Sequence, residues 1–131
     1  MKTFVLMLVL AASTSAAEKP GPLKFFYCIH AERNCKQTTA QVPVVSGNAA
    51  TVARRALATK DNFIGFVDAQ DTTLQFYTKE TDSILVDIPV PDSKGSYSAR
   101  LSRNQALKLI EGLSPPLSRY RSELKLTFAK W

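Results

Sequence analysis

A chain of 131 residues that is 45% hydrophobic can bury one modest core, and that composition excludes a disordered polymer. Its formal charge of +6 is unevenly spread, with residues 18–60 balancing to +5, 61–93 to −6 and 94–131 to +6. A single basic surface of the kind that grips nucleic acid therefore does not describe the whole molecule.

Met1–Ala17 reads as a secretory signal peptide. Lys2 supplies the positive start, Phe4–Ala12 the apolar run, and Ser15-Ala16-Ala17 a small-residue cleavage site. The apolar run is too short to span a hydrocarbon core of about 30 Å, so export without a stable membrane anchor is expected. The remaining residues, 18–131, form one expected domain, periplasmic or extracellular.

Leu23–His30 (LKFFYCIH), rich in aromatic and β-branched residues, predicts a buried strand. Cys35–Val45 can return as a second strand that Pro43 confines to an edge. Asn48 is placed to cap a helix reaching about Thr59, with Val52, Ala53, Ala56 and Leu57 on one face. Phe63–Val67, Thr72–Thr78 and Ile84–Val90 follow with short turns, which predicts an antiparallel meander. Leu74 and Phe76 point inward, as do Ile84, Val86, Ile88 and Val90, while Asp87 points outward. Asp92–Arg100 reads as a polar loop. Ser102 and Gln105 have the spacing of a capping box, and Ala106, Leu109, Ile110 and Leu113 repeat at helical spacing up to Gly112. Glu123–Trp131 alternates as a last strand. The expected fold is α+β, with an antiparallel sheet of four to six strands and two helices packed on one face as a two-layer sandwich.

Few residues carry chemistry. Cys28 and Cys35 are the only cysteines. In an exported chain they are expected to pair, closing a loop whose chain entropy stabilises the fold by about 2.5 kcal/mol. His30 is the only histidine. Cys28-x-His30-x4-Cys35 offers at most three soft ligands without the paired spacing of a structural zinc site. Any serine or cysteine hydrolase would have to use that one imidazole. No nucleophile elbow and no phosphate-binding glycine loop occurs, so no enzyme signature is read, and no cofactor or metal is expected.

The acidic middle offers Asp68, Gln70, Asp71, Glu80 and Asp82 as candidate partner-binding residues at the meander's turns, with Asp92 in the next loop. If Asp87 joins them, an acidic face results, suited to a basic protein. Alternate turns fall at opposite ends of a sheet, so these acids need not form one patch. The C-terminal stretch offers Arg119, Arg121, Lys125 and Lys130 with Tyr120 and Trp131, a set suited to an anionic glycan, wall polymer or lipid surface or simply to a protected sheet edge.

The stretches FIGFVDAQDTTLQF (63–76), ILVDIP (84–89) and GSYSARLSRNQALKLIEGL (95–113) resemble, in layout, small immunity proteins that neutralise bacterial toxins. The resemblance implies a periplasmic inhibitor of a wall- or membrane-directed toxin, acting without a cofactor. The chain's basic net charge departs from the acidic habit of such proteins, which leaves the partner and the partner face open. The expectation is thus an exported binding or inhibitor protein with a secreted toxin or enzyme as partner. The alternatives are a binder of an anionic polymer or surface, and an enzyme without a recognisable signature.

Overall fold

A computed structural model describes residues 22–33, 35, 41–45 and 47–131. The expected signal peptide lies outside the described residues. Seven strands are present: β1 (Lys24–Cys28), β2 (Val42–Pro43), β3 (Phe63–Val67), β4 (Thr73–Glu80), β5 (Ser83–Val90), β6 (Gly95–Leu101) and β7 (Thr127–Lys130). They form one antiparallel sheet in the order β2-β1-β3-β4-β5-β6-β7. The helices are α1 (Asn48–Ala56), α2 (Arg103–Glu111) and the single turn α3 (Tyr120–Glu123). None is long and apolar enough to cross a membrane.

The fold is α+β as expected, but the sheet exceeds four to six strands. The extra strand is β6, read from the sequence as loop. Its Ser96, Ser98 and Arg100 gave the stretch a polar look, yet they alternate with Tyr97, Ala99 and Leu101, which pack on the core. Pairing with β5 from Ile84↔Leu101 to Val90↔Gly95 satisfies its backbone. The last strand is shorter than predicted. Tyr120 is buried, its hydroxyl accepts the Ser114 N–H at 3.1 Å, and this anchors a helical turn before β7 can begin.

The helix layer covers one face. Ala49, Ala53, Ala56 and Leu57 of the α1 segment pack with Ala106 and Ile110 of α2 over Phe25, Ile64, Phe66, Leu74, Phe76, Ile84, Val86 and Ile88. Alanines let α1 approach closely enough for the Thr78 hydroxyl to donate to the Ala56 carbonyl at 3.0 Å. The helix α1 ends at Ala56, short of the expected Thr59. Gly47 in a left-handed conformation is its N-cap (φ 78°), not Asn48. The Asn48 amide instead ties the helix start to the preceding chain, accepting from Val45 N–H at 2.9 Å and donating to the Pro43 carbonyl at 3.0 Å. At α2 the capping box forms as predicted, Gln105 N–H to Ser102 Oγ at 3.1 Å and Ser102 N–H to Gln105 Oε1 at 2.9 Å.

Candidate functional site

Among the described residues, no helix lies over the central strands on the second face of the sheet. Strand register assembles it as two neighbouring rows. One runs Phe26, Gly65, Gln75, Asp87, Ser98 and Thr127 across β1, β3, β4, β5, β6 and β7. The other runs Cys28, Phe63, Tyr77, Leu85 and Arg100 across β1, β3, β4, β5 and β6. Phe26, Phe63, Tyr77, Leu85, Gln75 and Asp87 are all only half-buried, while their neighbours along β4 and β5 are sealed in the core. Gly65 is required here because a Cβ would overlap the Phe26 ring, which lies across the backbone and meets Phe63 edge-on at 6.3 Å.

Asp87 sits near the middle of this face. The Gln75 amide donates to its carboxylate at 3.3 Å. Burial pushes its carboxyl above the usual range, against the weaker opposing effect of that amide. The folded state therefore holds the Asp87 proton more tightly than the unfolded chain does. Stability tied to this group is greatest at low pH and is lost as pH rises from the ordinary carboxylate range through the raised folded value. Asp87→Asn is accordingly expected to raise the melting temperature at neutral pH, the gain shrinking to nothing below the ordinary carboxylate range. Parallel thermal melts across that interval check it. At one end of the face the Tyr77 hydroxyl donates to Asp61 at 2.7 Å, which pushes the phenol's ionisation upward, and Lys79 lies 5.6 Å over the Tyr77 ring.

The acids expected to bind a partner are not gathered together. Asp68, Gln70 and Asp71 lie in the β3–β4 turn, Glu80 and Asp82 at the β4–β5 turn, at opposite ends of an eight-residue strand, roughly 25 Å apart. Asp68 is only 4% exposed, and its carboxylate is taken up by backbone N–H groups. Its Oδ1 accepts from the N–H groups of Gln70 (3.0 Å) and Thr72 (2.9 Å), and Oδ2 from Leu117 N–H at 2.8 Å. Asp82 accepts the Arg103 N–H at 2.8 Å and so joins in holding the start of α2. Asp71, Gln70 and Glu80 are exposed. Asp71 shares a cleft of about 370 Å³ with Asp92, Ser118 and Arg121.

Cys28 and Cys35 form the expected disulfide. The His30 ring lies against it, Nε2 at 3.7 Å from Cys28 Sγ and Nδ1 at 3.6 Å from Cys35 Sγ. In the basic C-terminal stretch, two guanidiniums are engaged internally. Arg119 donates to Ser114 Oγ and the Tyr120 hydroxyl, both at 2.8 Å, and pairs with Glu123, while Arg121 stacks 4.4 Å over Tyr97. Lys125, Lys130 and Trp131 remain exposed there, the indole 73% so.

Sequence reasoning recognised Asp87 as outward but missed Phe26, Phe63, Gln75, Tyr77 and Leu85. The alternation of β4 and β5 carried their direction. Only the strand order brought them into one patch. Compared with protein-family models, curated proteins and solved structures, the chain shows no match.

Proposed function

We propose that this chain is an exported binding protein of the inhibitor kind, which engages a secreted toxin or enzyme through the open face of its sheet. The observation that carries the reading is a half-exposed apolar set, Phe26, Phe63, Tyr77 and Leu85, on the same sheet face as the half-buried Asp87. Half-exposed apolar side chains gathered on a single sheet face suit contact with another protein. A carboxylate already stripped of part of its water gains most from a lysine or arginine brought in by the partner, so the occupant is a protein presenting apolar side chains around a cation. Exposed Asp71 and Glu80, at the two ends of β4, add steering for a basic partner. The Cys28–Cys35 disulfide is compatible with an oxidising compartment outside the cytosol.

The test is capture of secreted proteins of the source organism on the immobilised chain, followed by purification of the captured protein and measurement of its affinity. Asp87→Lys is expected to weaken binding about thirtyfold or more, because a partner cation would then meet a like charge in a desolvated site. Leu85→Glu is expected to do the same, with melting behaviour retained in both variants. Asp71→Lys and Glu80→Lys are expected to slow association by an amount that shrinks at high salt. Unchanged affinity in Asp87→Lys and Leu85→Glu overturns the proposal. If Lys125→Glu with Lys130→Glu instead abolishes binding, and the chain is retained on dextran sulfate, the anionic-polymer reading replaces it.

A further inference from the structure

The disulfide corner has chemistry that the open face does not use. Cys28 ends β1, His30 opens the 3-10 turn His30–Glu32, and Cys35 follows within the same short loop. One ligand atom from each of the three residues falls within 4.8 Å of the others. Their placement is held from outside the loop. The His30 N–H donates to the buried Asn62 side chain at 3.0 Å, and Glu32 makes a bidentate pair with Arg55 of α1 at 2.7 and 3.1 Å. Cys28 is buried, Cys35 half-buried and His30 exposed, so solvent reaches the ring side of the cluster.

We infer that, once its disulfide is opened, the Cys28–His30–Cys35 corner binds one thiophilic d10 metal ion of the Zn2+ class through two thiolates and one imidazole nitrogen. The distances carry this. A tetrahedral zinc ion with Zn–S near 2.3 Å and Zn–N of about 2.0–2.1 Å sets sulfur and nitrogen roughly 3.6 Å apart. In the disulfide form the ring already reaches both sulfurs, though through different nitrogens, Nε2 at 3.7 Å from Cys28 Sγ and Nδ1 at 3.6 Å from Cys35 Sγ, and opening the bond frees the sulfurs to part to the spacing that a shared ion needs. A small ring rotation aims one nitrogen at the shared ligand position and leaves the other to water, the usual arrangement of a metal-bound imidazole. Thiolates with imidazole are a soft donor set that selects zinc over the hard cations.

The steps balance with a dithiol as reductant. It gives two electrons and two protons to the Cys28–Cys35 bond, becomes a disulfide itself, and leaves two thiols. Zn2+ then displaces the two thiol protons and accepts both sulfur lone pairs and one from the neutral imidazole. Water fills the fourth position. The oxidised and metal-loaded forms exclude each other, because each needs both sulfurs. The corner is thereby a redox-gated metal site.

The experiment uses the folded chain with Zn2+ as the probe. Oxidised protein and protein reduced under argon with a phosphine are titrated with zinc against a chromophoric chelator, and stoichiometry is read by native mass spectrometry. One zinc per reduced chain and none per oxidised chain is the expected result. His30→Ala is expected to weaken zinc binding about tenfold or more while leaving both thiols alkylatable. Cys35→Ser is expected to remove tight binding. If reduction alone unfolds the chain, one equivalent of zinc is expected to restore its near-ultraviolet dichroism. Equal zinc affinity in the oxidised chain, equal affinity in reduced His30→Ala, or a reduced chain left unfolded by zinc overturns the inference.

Discussion

Asp68→Ala is expected to cost this protein about 3 kcal/mol, a large share of the ~5–15 kcal/mol that holds a typical domain folded. The carboxylate accepts three backbone N–H groups and lies almost wholly out of water. Hydrogen bonds to charged groups contribute roughly 1.5–3 kcal/mol each. The sum is not realised, because in the truncated turn Gln70 and Thr72 recover water. The Leu117 N–H has no such route, since its bond to Asp68 is buried, and leaving it unmet is most of the penalty. Chemical denaturation measures the loss. Asp68→Asn retains one carbonyl oxygen and is expected to fall between the two. A loss under about 1 kcal/mol for the alanine variant would show that the turn and the Leu117 segment stand without this carboxylate. Loss of binding in an Asp68 charge reversal therefore reports unfolding, which is why the binding test uses Asp71 and Glu80.

Ile110→Asp is expected to keep the protein from accumulating as a folded species. Ile110 is 6% exposed on the inner side of α2, within the cluster that includes Ala106, Ile84 and Val86. A carboxylate there would be a charge taken out of water into an apolar cluster, costing several kcal/mol. Leu109→Asp is expected to be milder. Leu109 is only partly buried, and its new carboxylate can reach water. Soluble yield and melting temperature separate the two variants. Melts for both that match the wild type would mean that α2 docks through another face.

Local signals sufficed wherever a residue's preference and its burial agreed. The capping box at Ser102 and Gln105, the inward alternation of Leu74, Phe76, Ile84, Val86 and Ile88, the confinement of Pro43 to an edge strand and the Cys28–Cys35 bridge were all legible in the sequence. Each follows from interactions within a few residues or from a pattern of period two. β6 was hidden because its polar residues face the side of the sheet that no described helix covers, where polar and apolar residues are equally tolerated. Asp68 misled for a related reason. An aspartate in a turn has the same sequence signature whether it faces solvent or reaches back for a backbone N–H 49 residues away. The open face is the clearest case. Phe26, Phe63, Gln75, Tyr77, Leu85 and Asp87 come from four strands, and nothing local to any one strand says that they share a surface. Their register is set by pairings far apart in the chain, and their exposure by α1 and α2 both packing on the opposite side. The sequence by itself determined most of the secondary elements, though not β6, together with the inward residues of the meander and the bridge, because these depend on short-range sterics and hydrogen bonding. Which outward residues meet, and which of them stay open to a partner, was decided only when the strands were ordered and the helices chose a side.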